Sequence, residues 1–489
     1  MLLKHKALLR PCILLGASLC FLTGPLWAQQ DTAAAEPEQP TLMNQLATRG
    51  LHDVKNERWN AYGQFTYISS WKPGFQAPYT NFNGSTNSLL PNAERSFTGT
   101  ATLYLGVRLW KGAEAYLVPE LISERPLSAL KGLGGAIQNF ELQKGGAELP
   151  QVYRSRVFLK QTISLGGDEV TKESGPLQLG SMTSSRRLVL IAGNFSILDF
   201  FDKPAFEVDP RQGFLNLGFL TSAAYDFASD ARGYSWGGVA ELYWDNWAVR
   251  FGRITPPKNP NQLPIDFRLG KYYGDQMELE HRHTLRGKAG IVRVLGYRNR
   301  ENIGRFSDAI AAFLADPRKN ATTCPGFSYD SGNAGAPDLC WARKSNVKTG
   351  IGGFAQQYLT GDIGVFVRGM ASDGQSEVDA YTTTDYSAGF GALAHGSRWG
   401  RSGDLAGAGM NLGWISASHA KYLSLGGVDG FIGDGKLRQG MERAVDVFYS
   451  VNLHRGLWLS GDYQHVVNPA FNADRGPVHV FGLRLHGEY

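Results

Sequence analysis

The chain has 489 residues and a formal charge of +5, with 19% charged residues and an abundance of Gly (60), Tyr (20), Trp (11) and Phe (26). Beyond the N-terminus no segment approaches the run of about 18 apolar residues that a spanning helix needs, which excludes a helical membrane protein. No Lys/Arg run occurs, and the charge is close to zero once the N-terminal basic residues are set aside, so nucleic acid is excluded as a partner.

At the N-terminus, Lys4, Lys6 and Arg10 precede an apolar stretch from Cys12 to Leu22. Leu26-Trp27-Ala28 then reads as a small-residue cleavage site, so residues 1–28 are expected to be a signal peptide cut after Ala28. Removing them leaves a charge of +2 and places the rest of the chain outside the cytoplasm. Cys12 and Cys20 leave with the signal peptide. Cys324 and Cys340 are then an isolated pair in an exported chain and are expected to form a disulfide. Residues 29–57 form a periplasmic lead. Asp31 to Pro40 has a disordered composition, rich in Ala, Glu, Gln and Pro, and Leu42 to Val54 suits a short helix.

From Trp59 onward the hydrophobic period is two, which defines one domain over 58–489. The clearest strand is 96–109. Phe97, Gly99, Ala101, Leu103, Leu105, Val107 and Leu109 share one face, and Ser96, Thr98, Thr100, Thr102, Tyr104, Gly106 and Arg108 share the other. Such a strand is far longer than the soluble average of about 5–6 residues. A turn at Trp110-Lys111-Gly112 leads to Glu114, Tyr116 and Glu120 on one face. Arg154, Arg156 and Lys160 share a face of the strand Val152 to Thr162. A further strand runs from Arg187 to Phe195.

The segment Leu198 to Asn216 breaks the alternation. It brings Asp199, Asp202, Asp209 and Arg211 together with Phe200, Phe201, Phe206, Pro204 and Pro210. It reads as a loop folded into a barrel and narrowing its bore.

Alternation then resumes. Tyr234, Trp236, Ala240, Leu242 and Trp244 share a face, and Arg250 opposes Trp247, Val249 and Phe251. Glu278 and Glu280 could be drawn as a glycosidase pair, but their spacing merely places both on one lumen face. His281 and His283 share the face of Met277 and Leu279, which suits interfacial packing better than metal binding. Arg293 and Arg368 occupy polar faces later, Arg368 opposite Val365 and Val367. Helical spacing is confined to loops, at Phe306 to Leu314 and Ser418 to Leu425. Cys324 and Cys340 follow the first of these in a long stretch placed on the cell surface. Long strands joined alternately by short turns and long loops are the grammar of an all-β transmembrane antiparallel barrel.

The last strand carries Phe481, Leu483, Leu485, Gly487 and Tyr489 on one face. An aromatic final residue preceded by alternate apolar residues resembles the signal read by the outer-membrane assembly machinery. A charge on the lipid face costs up to roughly 2–4 kcal/mol at the midplane. The lumen is therefore the expected side for Arg108, Glu114, Glu120, Arg154, Arg156, Arg250, Arg293 and Arg368.

Several stretches resemble the carbohydrate-selective porin (OprB-type) family. They are "TLYLGVRLWKGAEAYLVPEL" at 102–121, "YRSRVFLKQTISLGG" at 153–167, "AGNFSILDFFDKPAFEVDPRQGFLN" at 192–216 and "YDFASDARGYSWGGVAELYWDNWAVRFGR" at 225–253. "GSRWGRSGD" at 396–404 and "NPAFNADRGPVHVFGLRLHGEY" at 468–489 complete the set. The resemblance implies a barrel of about sixteen strands. It also implies outer-membrane location and passive diffusion of sugars such as glucose through an arginine-lined constriction. Outer-membrane lipids and the assembly machinery would be its other partners, and the barrel would act as a monomer or homotrimer.

Three alternatives stay open. Some members of this family are manganese porins, and Asp199, Asp202 and Asp209 offer the oxygen ligands that hard cations prefer. A closed-lumen barrel enzyme would need a nucleophile and a base in one constellation, and the Ser, His and Asn residues present form none. A surface-binding barrel would have a closed lumen as well. No cofactor and no resident metal is expected.

Overall fold

The computed structural model describes residues 41–142, 146–318, 324, 327–329 and 333–489. The expected signal peptide and the stretch Asp31 to Pro40 lie outside these residues. The strands are Trp59–Lys72 (β1), Glu94–Trp110 (β2), Ala113–Arg125 (β3), Gln151–Ser164 (β4), Glu169–Lys172 (β5), Ser181–Ser184 (β6), Arg187–Phe195 (β7), Ser235–Trp244 (β8) and Trp247–Ile254 (β9). They continue with Tyr273–Leu285 (β10), Lys288–Gly304 (β11), Arg343–Tyr358 (β12), Ile363–Ser372 (β13), Tyr386–His395 (β14), Leu405–Trp414 (β15), Glu442–His454 (β16), Leu457–Val467 (β17) and Val478–Glu488 (β18). Sixteen of them close into one antiparallel barrel in chain order, while β5 and β6 form a separate hairpin between β4 and β7.

Closure joins β1 to β18, with Phe65 opposite Gly487 and Tyr67 opposite Leu485. Beyond the last strand residue, Tyr489 and Gly63 exchange two backbone hydrogen bonds of 2.8 Å. Gly487 is required at this seam, because a Cβ there would stand 2.2 Å from the Phe65 ring.

One end of the barrel carries tight connections. Asp245, Arg286, Gly287, Gly112 and Gly456 take positive φ there, the twist that short hairpins need. The other end carries the long segments. No helix of the described residues is long and apolar enough to cross a membrane.

Along the wall the burial pattern is inverted relative to that of a soluble protein. Outward residues such as Phe251 (47% exposed), Val367 (53%) and Leu483 (56%) are apolar, and the largest fully buried side chains are Arg250, Arg293 and Arg484. Aromatic pairs line the rims, with Trp71 on Phe481 and Tyr386 on Trp414 near the loop end and Trp399 on Tyr449 near the turn end. An apolar wall with aromatic borders and a polar interior fits a bilayer outside and water inside.

The apolar core sits within the bore, where long segments fold inward from the loop end. Ile137, Phe140, Leu215, Leu217, Tyr225, Phe227 and Tyr381 form one cluster with inward residues of the wall. Backbone bonds tie these segments together, from Phe140 N to Leu215 O (3.0 Å) and from Leu217 N to Ile137 O (2.9 Å).

Short helices occupy the connections. Leu42–Thr48 (α1) is capped by Thr41, whose side chain accepts from Asn44 N. It ends at Gly50, whose positive φ stops it short of Val54. Its Met43 is buried against Tyr62, Tyr104 and Val118. Leu217–Leu220 (α2) follows the inward loop, and Phe306–Ala315 (α3) and Ala417–Ser424 (α4) pack on each other beyond the loop end. A disulfide joins Cys324 to Cys340, with Cα atoms 6.2 Å apart, in the segment after α3.

Candidate functional site: the constriction loop and its charge ladder

The chain leaves β7 at Phe195 and crosses the bore before re-entering the wall at β8. Ser196 and Asp199 form a capping box that turns the chain inward. Asp199 also accepts both forks of Arg156 from β4, at 2.7 Å each.

From there the loop is fastened to one strand after another. The Asp202 amide donates to Glu278 (2.9 Å) on β10, and its carboxylate, 5% exposed as a residue, accepts from Thr221 (2.7 Å) near the loop's end. The Lys203 carbonyl accepts from Arg368 (3.1 Å) on β13 and Arg293 (3.4 Å) on β11. The Phe206 amide donates to Gln356 (2.6 Å) on β12, and its ring lies where Gly364 of β13 leaves space, since a Cβ there would meet it at 2.2 Å.

Farther along, Arg211 pairs with Glu141 (3.0 Å) and reaches Glu120 of β3 at 4.0 Å, while Asp209 accepts from the Arg211 amide (2.8 Å). Arg484 of β18 donates to the carbonyls of Pro210 (2.9 Å) and Gly213 (2.8 Å), and Asp446 of β16 accepts from the Asn216 amide (2.9 Å). A loop held from β3, β4, β10, β11, β12, β13, β16 and β18 spans the lumen rather than covering its mouth.

Beside it runs a ladder of opposite charges. Arg250 lies among Glu241 (3.0 Å), Glu278 (2.8 Å) and Glu280 (3.0 Å), and Glu280 also takes Arg282 (2.7 Å) and Arg293 (2.8 Å). Glu207 of the loop closes the series on Arg293 (3.0 Å), Arg282 (3.3 Å) and Lys203 (3.9 Å). The ladder grades from dry to wet. The Arg250 and Glu280 side chains are 1% exposed, whereas Lys203 is 27%, Arg282 36% and Glu207 39% exposed. Lys203, with Arg282 and Arg293 behind it, pulls the Glu207 carboxyl down to about 2.

The expected site residues therefore part company. Glu114, Glu120, Arg156, Asp199, Asp202, Asp209, Arg211, Arg250, Arg293 and Arg368 all stand inside the barrel or on the loop within it. Glu114 pairs with Lys160 (2.6 Å), and Glu120 takes Thr102 (2.9 Å) and the Tyr153 hydroxyl. Arg108 sits at the turn end, bound to Asn56 (2.7 Å) and the Gly180 carbonyl, far along its strand from the loop.

Arg154 is a correction. It does not share the face of Arg156, because the register shifts between Val118 and Pro119 of β3 and leaves Ser155 as an extra residue on β4. The bulge turns Arg154 outward onto Trp236, with the guanidinium 5.2 Å from the ring centroid. Tyr234 is a smaller correction. It lies before β8 and turns inward beneath Arg156, apart from the outward Trp236, Leu242 and Trp244.

The wet residues Lys203, Glu207 and Arg282 were not singled out from the sequence. Arg282 continues the i, i+2 series of Glu278 and Glu280, and Lys203 and Glu207 stand four apart. Those two spacings were the available signals.

Comparison with known proteins agrees with this architecture. The family model for carbohydrate-selective porins of the OprB family matches residues 87–489. The high-pH structure of Pseudomonas putida OprB is similar over 91% of this chain and 96% of that one, with a TM-score of 0.65 and 15% identity. OccK2 of Pseudomonas aeruginosa (TM-score 0.42, 10% identity, 89% of this chain and 98% of that one) and OmpT of Vibrio cholerae (0.45, 10%, 89% and 99%) are more distant and carry no argument. No curated protein sequence matches. Family and fold are those of channels of the outer membrane rather than of enzymes, and the tight-turn end of such barrels faces the periplasm. The chain belongs to the carbohydrate-selective porin family, OprB.

Proposed function

We propose that the barrel is a passive channel through which monosaccharides such as glucose diffuse into the periplasm. The observation that carries this reading is the charge balance at the constriction. The wall arginines Arg156, Arg250 and Arg293 are matched by carboxylates, and the wet rung of Lys203, Arg282 and Glu207 holds donors and acceptors together. A paired set holds little net field against a neutral solute and still supplies hydrogen bonds for hydroxyl groups. The half-buried Pro204, Phe206 and Val208 lie between those charges and offer apolar surface to a pyranose face. Water-exposed hydrogen bonds worth about 0.5–1.5 kcal/mol net hold a sugar long enough to select it and weakly enough to release it.

The manganese reading has less support. Asp199 is committed to Arg156, Asp202 to Thr221 and the Ser222 amide, and Asp209 to the Arg211 amide with the Arg211 guanidinium at 3.7 Å, so each of these acids already serves a protein donor. Liposome swelling decides between the two. Glucose and its isomers should enter faster than amino acids of similar size, and Glu207→Gln with Arg282→Gln should abolish that preference. Manganese flux above that of other divalent cations, lost on Asp199→Asn with Asp202→Asn, would replace the sugar reading.

A further inference from the structure

The outward face of the barrel is apolar through its middle, and a set of its charges gathers near the loop end. Arg154 comes to that face only through the bulge, which Ser155 holds closed by donating from Oγ to the Val118 carbonyl (2.9 Å). Val157 and Asn194 are the last pair between β4 and β7, so no β7 residue flanks Arg154. Its guanidinium reaches across that opening to lie on Trp236.

On β9 to β11 the same arrangement recurs. Tyr273 carries Arg253 at 4.3 Å and Arg298 at 5.5 Å from its ring centroid. Asp275 takes Arg253 at 2.7 Å, and Arg298 is bonded to the Tyr273 hydroxyl. Asp275 stands opposite Arg253 on one side and Arg298 on the other and pairs with Arg253, and among the described residues neither Arg298 nor Arg154 makes an ion pair. Two residues toward the membrane middle, the same strands present Phe251 (47% exposed) and Met277 (58%).

An arginine without an ion pair is tolerated on a lipid-facing wall near the interface, where its cost falls well below that at the midplane. A guanidinium held against an indole or phenol ring is kept in place and, after the one N–H that Arg298 gives to the Tyr273 hydroxyl, still has N–H groups to offer. Cations on rigid supports directly above an apolar wall match an amphiphile with phosphate above and acyl chains below. We propose that Arg154 and Arg298, seated on Trp236 and Tyr273, bind the phosphate groups of a phosphorylated glycolipid in the outer leaflet around the barrel.

Native mass spectrometry of the purified protein in detergent tests this, with bisphosphorylated lipid A, its dephosphorylated form and inorganic phosphate as probes. The bisphosphorylated lipid should be retained, and Arg154→Gln with Arg298→Gln should weaken it about tenfold, the scale of a lost charge-assisted contact. Trp236→Leu keeps both charges but frees Arg154, and should give a smaller loss. Heat-modifiable migration confirms that each variant is folded. Should the double variant not fold, Trp236→Leu and the pair Arg154→Lys with Arg298→Lys carry the test, because lysine keeps the charge and loses the fork. Unchanged binding in the folded variants, equal binding of the dephosphorylated lipid, or displacement by inorganic phosphate at the lipid's own concentration overturns the proposal.

Discussion

Glu207 is held by three cations and still touches water, whereas Arg250 is enclosed by three carboxylates and touches almost none. The two should answer mutation differently. Glu207→Gln adds one net positive charge to the wet rung, so reversal potentials in asymmetric potassium chloride should shift toward anions while the barrel stays folded. Acid should mimic this only at an extreme. The folded carboxyl titrates near about 2, below its ordinary value, so its charge persists as pH falls from 8 to 4 and is lost as pH approaches 2. The difference in reversal potential between the wild type and Glu207→Gln should be flat over the first range, and a transition in that difference near pH 5 would contradict the pairing. Arg250→Met instead leaves Glu241 and Glu278 buried without a cation, while Glu280 keeps Arg282 and Arg293. Breaking a buried pair costs about 3–5 kcal/mol, so the temperature at which the heat-modifiable form is lost should fall. At this scale the sequence was legible where alternation held. It placed Arg250, Arg293 and Arg368 inward but could not show that the donors of Arg250 and Arg293 are already taken. Side chains meet across strands far apart in sequence, and a period of two carries no register.

The constriction loop shows why an element can be recognised and its fastening still missed. Acids, aromatics and prolines at Leu198 to Asn216 marked a break in alternation, and the structure brings that segment into the bore. Its attachments come from Gln356, Asp446 and Arg484, which in sequence look like any lumen residue. The Ser155 bulge was likewise unreadable, since one extra residue leaves the composition unchanged while reversing the face of Arg154. Gly364 gives a direct test of the loop's seating. Val at this position would drive a branched side chain into the Phe206 ring, which Tyr358 flanks at 4.7 Å. Single-channel conductance should change while membrane insertion stays normal. Gly461→Ala, with nothing within 4 Å of the added Cβ, is the matched control and should leave conductance unaltered.

For the whole molecule, Tyr489 extends the closure that β1 and β18 make along their length. Tyr489 gives the seam two backbone bonds to Gly63 and carries the aromatic end of the outward face of β18. Deleting it should lower outer-membrane levels of the heat-modifiable barrel without reducing export. Normal levels would show that neither the seam bonds nor the terminal aromatic is needed. The Cys324–Cys340 bridge lies outside the barrel wall and spans a separation of 16 residues. Its reduction should leave the barrel's thermal transition in place and speed hydrogen exchange in the segment after α3 alone. The constriction has a last consequence for current through a single pore. A loop bolted to eight strands on opposite sides of the bore has no free swing, so its opening cannot flicker unless the wall itself deforms. Current traces should then be quiet, with low-frequency noise set by solute passage rather than by gating. Cutting the Arg484 tether to Pro210 and Gly213 should make the same trace noisy before it changes its mean.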